Sequence, residues 1–387
     1  MEYRLEELFD LQMGKTPSRN NNDYWMDEGN KWISISDLSQ CGKYISMTKE
    51  RISDRAVEET GIRKIPANTV IMSFKLSIGK TAITSEPMYS NEAIMAFHDK
   101  HIVKLIPDYI YYMFSGKDWN EGTNKAVLGK TLNKATLSKV KVNICDIDKQ
   151  RSIVDILDKV SAILENRKTE LKMMDELIKA RFIELFGDVG TGAYNYKTCK
   201  LGDVAKVGSS HRVFTTEFVE SGIPFYRGTE IGELADGQEP SDPYYISEEH
   251  YQRLASDDTK PLVGDLLMPS ICNKGQVWMV DTEQRFYYKD GRVLCISPDR
   301  ILFNSKFLQY FMREKTLVEY PKMGSGSTFA EFKIFLLKDM DILVPPREIQ
   351  DKFADFVNQV DKSKAAVQKS LDETQVLFDS LMQKYFG

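Results

Sequence analysis

DIDKQRSIVDILDKVSAILENRKTELKMMDELIKARFIELFG, residues 146–187, occurs twice in this chain. Its diverged copy, PREIQDKFADFVNQVDKSKAAVQKSLDETQVLFDSLMQKYFG, occupies residues 346–387. Gln150 pairs with Gln350, Asp155 with Asp355, Val160 with Val360, Leu171 with Leu371, Phe186 with Phe386 and Gly187 with Gly387. Every pair keeps the same interval of 200 residues, so the copies align without a gap.

Both copies carry a helical heptad. Alternate steps of four and three from Ile153 reach Leu157, Val160, Leu164, Arg167, Leu171, Met174, Ile178, Arg181 and Leu185. The same steps from Phe353 reach Val357, Val360, Lys364, Val367, Leu371, Thr374, Phe378, Leu381 and Tyr385. Eight of the ten positions are apolar in each copy, the width of a seam between paired helices rather than of a broad core-facing stripe. Pro346 suits a first helical turn, and Gly187 and Gly387 suit the left-handed position just past a helix end. Some forty residues at ~1.5 Å each make a rod of roughly 60 Å. Alone, such a helix leaves its seam open, and its own copy is the nearest partner.

Outward from the helices the duplication continues more faintly. Tyr3-Arg4-Leu5-Glu6-Glu7-Leu8 resembles Lys200-Leu201-Gly202-Asp203-Val204. KWISISDLSQCGKY (31–44) resembles IPFYRGTEIGELAD (223–236), each an aromatic, a β-prone pair and a polar turn. IPANTVIMSFKLSIGKTAI (65–83) resembles PLVGDLLMPSICNKGQVWMV (261–280), each two apolar strands around a turn. Short helical patterns follow at 108–119 and 305–320. Each half reads as short strands with one or two small helices.

The join GDVGTGAYNY (187–196) is short. A compact globule keeps its chain ends close, so the second helix should start near the end of the first, and a pair would run antiparallel. The expected fold is α+β: two mixed α/β globules separated by an antiparallel coiled coil of two repeated helices, with pseudo-two-fold symmetry. Chain start and chain end should meet at the first globule. The expected boundaries are 1–145, 146–187, 188–345 and 346–387.

At 387 residues the chain has room for more than one core, and a 42% hydrophobic share suits packed interiors. No apolar run reaches the roughly 18 residues of a membrane span, and MEYRLEELFD lacks the pattern of a signal peptide. Cys41, Cys145, Cys199, Cys272 and Cys295 are odd in number and scattered, which argues for a reducing cytoplasm. The net charge of −5 opposes bulk attraction to nucleic acid, so a nucleic-acid role would need basic residues gathered on one face or supplied by partners.

Two globules, each followed by a long helix ending L-F-G (185–187) or Y-F-G (385–387), resemble the specificity subunit of type I restriction–modification enzymes. V-P-P-R-E-I-Q (344–350) is similar to that family's entry into its helices. G-S-T-F (326–329) and P-F-Y-R-G-T-E-I (224–231) are similar to motifs of its target-recognition domains. One departure is Val142-Asn143-Ile144-Cys145-Asp146, which lacks the prolines of Pro345-Pro346 and blurs where the first helix starts. The resemblance implies a non-catalytic, cytoplasmic reader of double-stranded DNA with no cofactor and no membrane association. Each target-recognition domain would take one half of a bipartite target, and the helix pair would set the spacing. Two methyltransferase subunits would dock on the helices, and endonuclease/translocase subunits would join them. Half-sites on one DNA face lie about 34 Å apart or multiples of it, within reach of such a rod.

Base edges and phosphates are met by Arg, Lys, Asn, Gln, Ser and Thr carried on loops. In the first globule the candidates are Lys15, Thr16, Arg19, Asn20, Asn21, Asn22, Ser34, Ser36, Lys75, Lys80, Lys130 and Asn133. In the second they are Ser209, Ser210, His211, Arg212, Arg227, Thr229, Lys274, Gln276, Lys322, Ser325 and Ser327. Taken singly, each is an ordinary solvated loop residue; the set is what points to DNA.

Other signals point away from catalysis. Gly79-Lys80-Thr81 and Gly129-Lys130-Thr131 echo the tail of a P-loop, but Phe74 and Asn124 stand where its first glycine is needed. His98 and His101 have the spacing of metal ligands on a helix without a clear third ligand. No G-x-G-x-x-G, N-P-P-Y, D-P-P-Y or G-x-S-x-G is present. The competing expectation is a coiled-coil scaffold protein with no nucleic-acid role, its heptads pairing between chains. Arg167 and Arg181 on the seam could pair with acids or meet partners.

Overall fold

The computed structural model describes residues 1–75, 77–119, 132–257, 259–323 and 330–387. Two helices of 40 residues dominate it, Ile147–Phe186 and Arg347–Phe386. Their starts coincide across the repeat by different means. Asp146 caps the first: its carbonyl accepts the Gln150 N–H at 3.0 Å and its carboxylate accepts the Lys149 N–H at 2.9 Å. The Pro346 carbonyl serves the second, accepting from Ile349 at 3.0 Å and Gln350 at 3.3 Å. Pro346 thus precedes the helical span rather than sitting inside its first turn, and the missing prolines leave the first start as sharp as the second. The first helix ends at Gly187, whose φ of +93° and 2.1 Å clearance between a would-be Cβ and the Ala193 carbonyl admit only glycine.

All twenty heptad positions are buried or half-buried. The chain therefore covers its own seam, which leaves the scaffold expectation without the open seam it needs. Arg181 bonds Glu184 in its own helix at 2.7 Å, while the Nε of Arg167 is buried with no hydrogen-bond partner among the described residues.

The chain divides into two compact units, residues 1–169 with 368–387, and residues 170–367. In the first, a five-stranded sheet runs in the order Phe9–Met13, Ile94–Asp99, Val70–Ser73, Thr81–Thr84 and Tyr44–Ile45. Beside it, Trp25–Met26, Glu50–Ile52, Asn30–Ile33 and Tyr89–Ser90 form a second sheet whose last pair is parallel. Strand Glu2–Arg4 pairs with Lys141–Asn143. Phe9, Phe97, Phe114 and Trp119 meet edge to face in the core that also takes Ile153 and Leu157 of the first long helix. Met382 and Phe386 of the second long helix enter the same core, Phe386 lying 5.4 Å from the Tyr109 ring. Gly116 permits this approach, since a Cβ there would stand 2.8 Å from Met382 Cε. Chain start and chain end therefore share one core, as expected.

The second unit repeats the plan. One sheet orders Ala205–Gly208, Val293–Pro298, Leu266–Pro269 and Trp278–Met279, and the other Phe218–Val219, Tyr244–Ile246, Ile223–Tyr226 and Tyr287–Tyr288, again closing with a parallel pair. Phe182 and Phe186 from the first long helix pack on Phe353 of the second at 5.4 and 5.5 Å, with Phe307 beside them. The seam Lys364 reaches Asp175 at 2.5 Å. In each unit an early segment of one long helix lies with a late segment of the other, so the helices run antiparallel.

The deepest trace of duplication is a pair of glutamines, each fully buried. Gln150 accepts the Ile106 N–H at 3.1 Å and donates to the carbonyls of Lys104 (3.0 Å) and Cys145 (2.9 Å). Gln350 accepts from Asn304 at 2.9 Å and donates to Leu302 (2.9 Å) and Pro345 (2.8 Å). Each clamps the loop before its unit's main helix, Pro107–Gly116 or Ser305–Glu319, to the start of a long helix.

Two details differ from the sequence expectation. The first unit holds more helix than one or two pieces: Leu5–Leu8, Ile35–Gln40, Asp54–Thr60 and Lys134–Ser138 accompany Pro107–Gly116. The polar turns after Trp32 and Tyr226 are in fact the helices Ile35–Gln40 and Gly228–Ala235. Pieces this short show no period, and only their caps, Ser34, Ser53 and Asn133, betray them. His98 lies on a strand and bonds Gln12 at 3.0 Å, and His101 follows with φ 57°, so their spacing never has a helix to act on. Among the described residues no cluster of His, Cys, Asp or Glu could hold a metal, and no helix is long and apolar enough to cross a membrane.

Candidate nucleic-acid interface

In the first unit, the loop after strand Phe9–Met13 is stitched to the edge strand Tyr89–Ser90. The Lys15 N–H donates to the Ser90 carbonyl at 2.8 Å, and the Trp32 indole donates to the Lys15 carbonyl at 3.0 Å. Gly14 allows the close approach, because a Cβ would stand 2.2 Å from the Asn91 carbonyl. The loop thereby brings together Thr16 and Arg19, with Lys75 alongside, around Glu92. The Thr16 hydroxyl donates to Glu92 and holds that carboxyl below its usual range, helped by the charges of Lys75 and Arg19. Arg19 lies 3.8 Å over the Trp25 ring, 5.1 Å from Trp32, and donates to Glu50 at 3.0 Å.

The remaining first-unit candidates are placed separately. The Lys15 ammonium donates to the Thr60 carbonyl at 2.5 Å. Asn21 accepts the Asp23 N–H at 3.1 Å, and Asn20 and Asn22 are exposed. Ser34 caps its helix, accepting from the Asp37 N–H at 3.2 Å and donating to the Asp37 carboxylate at 2.7 Å, while Ser36 accepts from Gln40 at 3.4 Å. Lys80 is exposed in the turn between Val70–Ser73 and Thr81–Thr84. Asn133 caps the helix Lys134–Ser138. Lys130, Ser325 and Ser327 lie outside the described residues.

In the second unit the matching loop follows strand Ala205–Gly208. The Ser209 hydroxyl donates to the Val293 carbonyl at 2.7 Å and accepts the Gly291 N–H at 2.8 Å; Ser210 donates to the Tyr288 carbonyl at 2.5 Å. His211 pairs with Asp257 at 2.6 Å, which with the Thr259 bonds drives that carboxyl far below its ordinary value. Arg212 donates to Asp290 at 3.2 Å. Arg227 sits 4.2 Å over Tyr244 and pairs with the buried Glu230, next to the exposed Thr229. Gln276 folds back to accept the Lys274 N–H at 3.1 Å, and Lys322 pairs with Glu319 at 3.2 Å.

One device recurs in both units. The loop after the first sheet strand is held by the strand that closes the second sheet and by a carboxylate two residues beyond it, Glu92 after Ser90 and Asp290 after Tyr288. The sequence reading selected donors and missed these acids. Nothing in a lone Glu or Asp marks it; the aligned pairs Tyr89-Ser90 and Tyr287-Tyr288 were the available signal. Surface ion pairs are worth about 0–1 kcal/mol, so phosphates can displace the acids that hold Arg19 and Arg212. A carboxylate that remains repels phosphate and can accept from the amino group of cytosine.

Residues 1–173 and 194–374 match the family model described as the type I restriction modification DNA specificity domain, and the chain belongs to that family. It is 24% identical over 417 residues to the type I restriction enzyme MjaIX specificity subunit of Methanocaldococcus jannaschii, covering 98% of this chain and 91% of that one. Two solved structures share the fold at 15% identity. The type I restriction–modification S subunit from M. genitalium gives a TM-score of 0.56, covering 100% of this chain and 96% of that one. A chain from a study of complex assembly and conformational transition of the type I R-M system gives 0.64, covering 100% and 97%. The protein is thus a specificity component of such a system and not its catalytic part.

Proposed function

We propose that this chain reads a bipartite target in double-stranded DNA, one half per globule, with the long helices setting the distance between halves. The observation that carries this reading is the recurring loop-and-carboxylate frame filled by different side chains. Lys15, Thr16 and Arg19 occupy it in one unit, and Ser209, Ser210, His211 and Arg212 in the other. The same frame with unlike donors is what reading two unlike half-sites requires.

The chain, which works in the cytoplasm in this reading, also recruits two methyltransferase subunits, which endonuclease/translocase subunits then join. Support comes from the outward faces of the helices: the equivalent Leu177 and Leu377 are each 51% exposed, with Met173 and Val376 near them in sequence. Equivalent apolar positions on the two copies suit two copies of one partner.

The test is co-expression with the system's methyltransferase in a host free of other modification, followed by mapping of methylated adenines. A single split motif with an unspecified centre is expected, absent without this chain. Methylation that ignores the chain, or a continuous motif, contradicts the reading.

A further inference from the structure

We infer that Phe335 is a DNA-contacting wedge of the second unit, seated against a base step of the duplex; the inference rests on the reading of this chain as a DNA reader. Phe335 lies on the short helix Ile334–Lys338. That helix is anchored from below: Leu337 is fully buried, Ile334 packs on the same core, and the preceding Phe332 is 1% exposed with its N–H bonded to the Ser270 carbonyl at 2.8 Å. The anchoring residues occupy the inner face, so Phe335 projects outward at 68% exposure, with Leu336 beside it at 38%.

One exposed apolar side chain is unremarkable by itself. Three further observations give this one a role. First, Phe335 borders an open cavity of about 420 Å³ whose lining also includes Phe332, Leu294, Gly291, Lys333 and Lys338. Second, that cavity adjoins the candidate reading loop: the Gly291 N–H bonds Ser209, and the neighbouring Asp290 holds Arg212. Third, the repeat supplies an internal comparison. At the 200-residue interval Leu337 matches Leu137, also fully buried, but Phe335 and Leu336 match Ala135 and Thr136. The scaffold of the helix is kept in both units, while its outward face is apolar and bulky in only one.

Duplex DNA is the occupant this chemistry fits. Lysines on either side of an aromatic wedge can hold phosphates while the ring meets a base step or a thymine methyl. The two halves of the target would then be read by different means, by polar loop donors alone in the first unit and by donors plus a wedge in the second.

The full chain, in complex with its methyltransferase, is used to select binders from a library of random-sequence duplexes, as wild type and as Phe335→Ala and Phe335→Trp. Phe335→Ala should relax base preference at one or two positions of one half-site and weaken binding to the wild-type selected duplex roughly tenfold. Phe335→Trp should retain both. Unchanged selection and affinity for Phe335→Ala overturns the wedge while leaving the DNA reading intact. So does a loss confined to methyltransferase capture, which would make Phe335 a protein contact. If the wild-type complex selects no sequence, the DNA reading fails first and the wedge fails with it.

Discussion

Gln150 and Gln350, 200 residues apart, make the same three hydrogen bonds, each to one backbone N–H and two carbonyls of its own unit. A carboxamide offers one acceptor oxygen and two N–H donors, the set these three partners need and one that neither a carboxylate nor an aliphatic isostere supplies.

Gln150→Ala should cost about 2–3 kcal/mol, since it strands the Ile106 N–H and the Lys104 and Cys145 carbonyls away from water. Gln350→Ala should behave alike in the second unit. Denaturant unfolding gives the loss, and hydrogen exchange at the Ile106 or Asn304 amide should show it localised to the mutated unit. A loss below about 0.5 kcal/mol would contradict the clamp.

Acid should loosen the first unit through Asp108. Lys43 lies 2.5 Å from Asp108 and 2.6 Å from Asp158, and the Tyr44 hydroxyl donates to Asp108 at 2.6 Å. Burial would raise the Asp108 pKa, but Lys43 and Tyr44 outweigh it and hold the carboxyl below its ordinary value. The folded pKa is thus the lower one. Its stabilisation is full above the unfolded carboxylate value of about 4 and is lost as pH falls through the folded value. Asp108→Asn should be less stable at neutral pH and should show a shallower acid limb in unfolding measured across pH. An acid limb as steep as wild type's would refute the assignment.

Neutralising a loop carboxylate should make the chain less selective. Glu92→Gln or Asp290→Asn removes a charge that repels phosphate beside Thr16 or Arg212. Non-specific duplex affinity should rise, and the salt dependence should steepen by up to about one phosphate's worth. Weaker non-specific binding at low salt would show that the acids act only as structural props.

What the sequence could reveal divides along physical lines. The long helices were legible because forty residues sample their heptad many times, and the 200-residue interval ties Gln150 to Gln350 whatever lies between. Strand landmarks such as 65–83 and 261–280 recur in the same order in both sheets. Helices of four to seven residues were not legible, since Ile35–Gln40 completes fewer than two turns. Donor chemistry alone also overreached. Ser34 and Asn133 cap helices and Ser209 and Ser210 bond carbonyls, uses that a list of polar loop residues cannot foresee. Phe335 is not legible either, since nothing in the sequence separates an apolar residue that faces outward from one that packs in the core.

If the helices act as a ruler, their length is the spacer. Removing one heptad from each shortens the rod by roughly 10 Å, about three base-pair steps. The complex should then select a target with a shorter unread centre, or lose binding where the altered helical phase turns one half-site away. An unchanged spacer contradicts the ruler.

The central claim, that each globule reads its own half, is tested most directly by exchange. Residues 1–145 are replaced by the corresponding globule of another family member, and methylated adenines are mapped in a host carrying the methyltransferase. One half of the motif should change to the donor's, with the other half and the spacing kept. A change in both halves together, or in neither, would contradict the account.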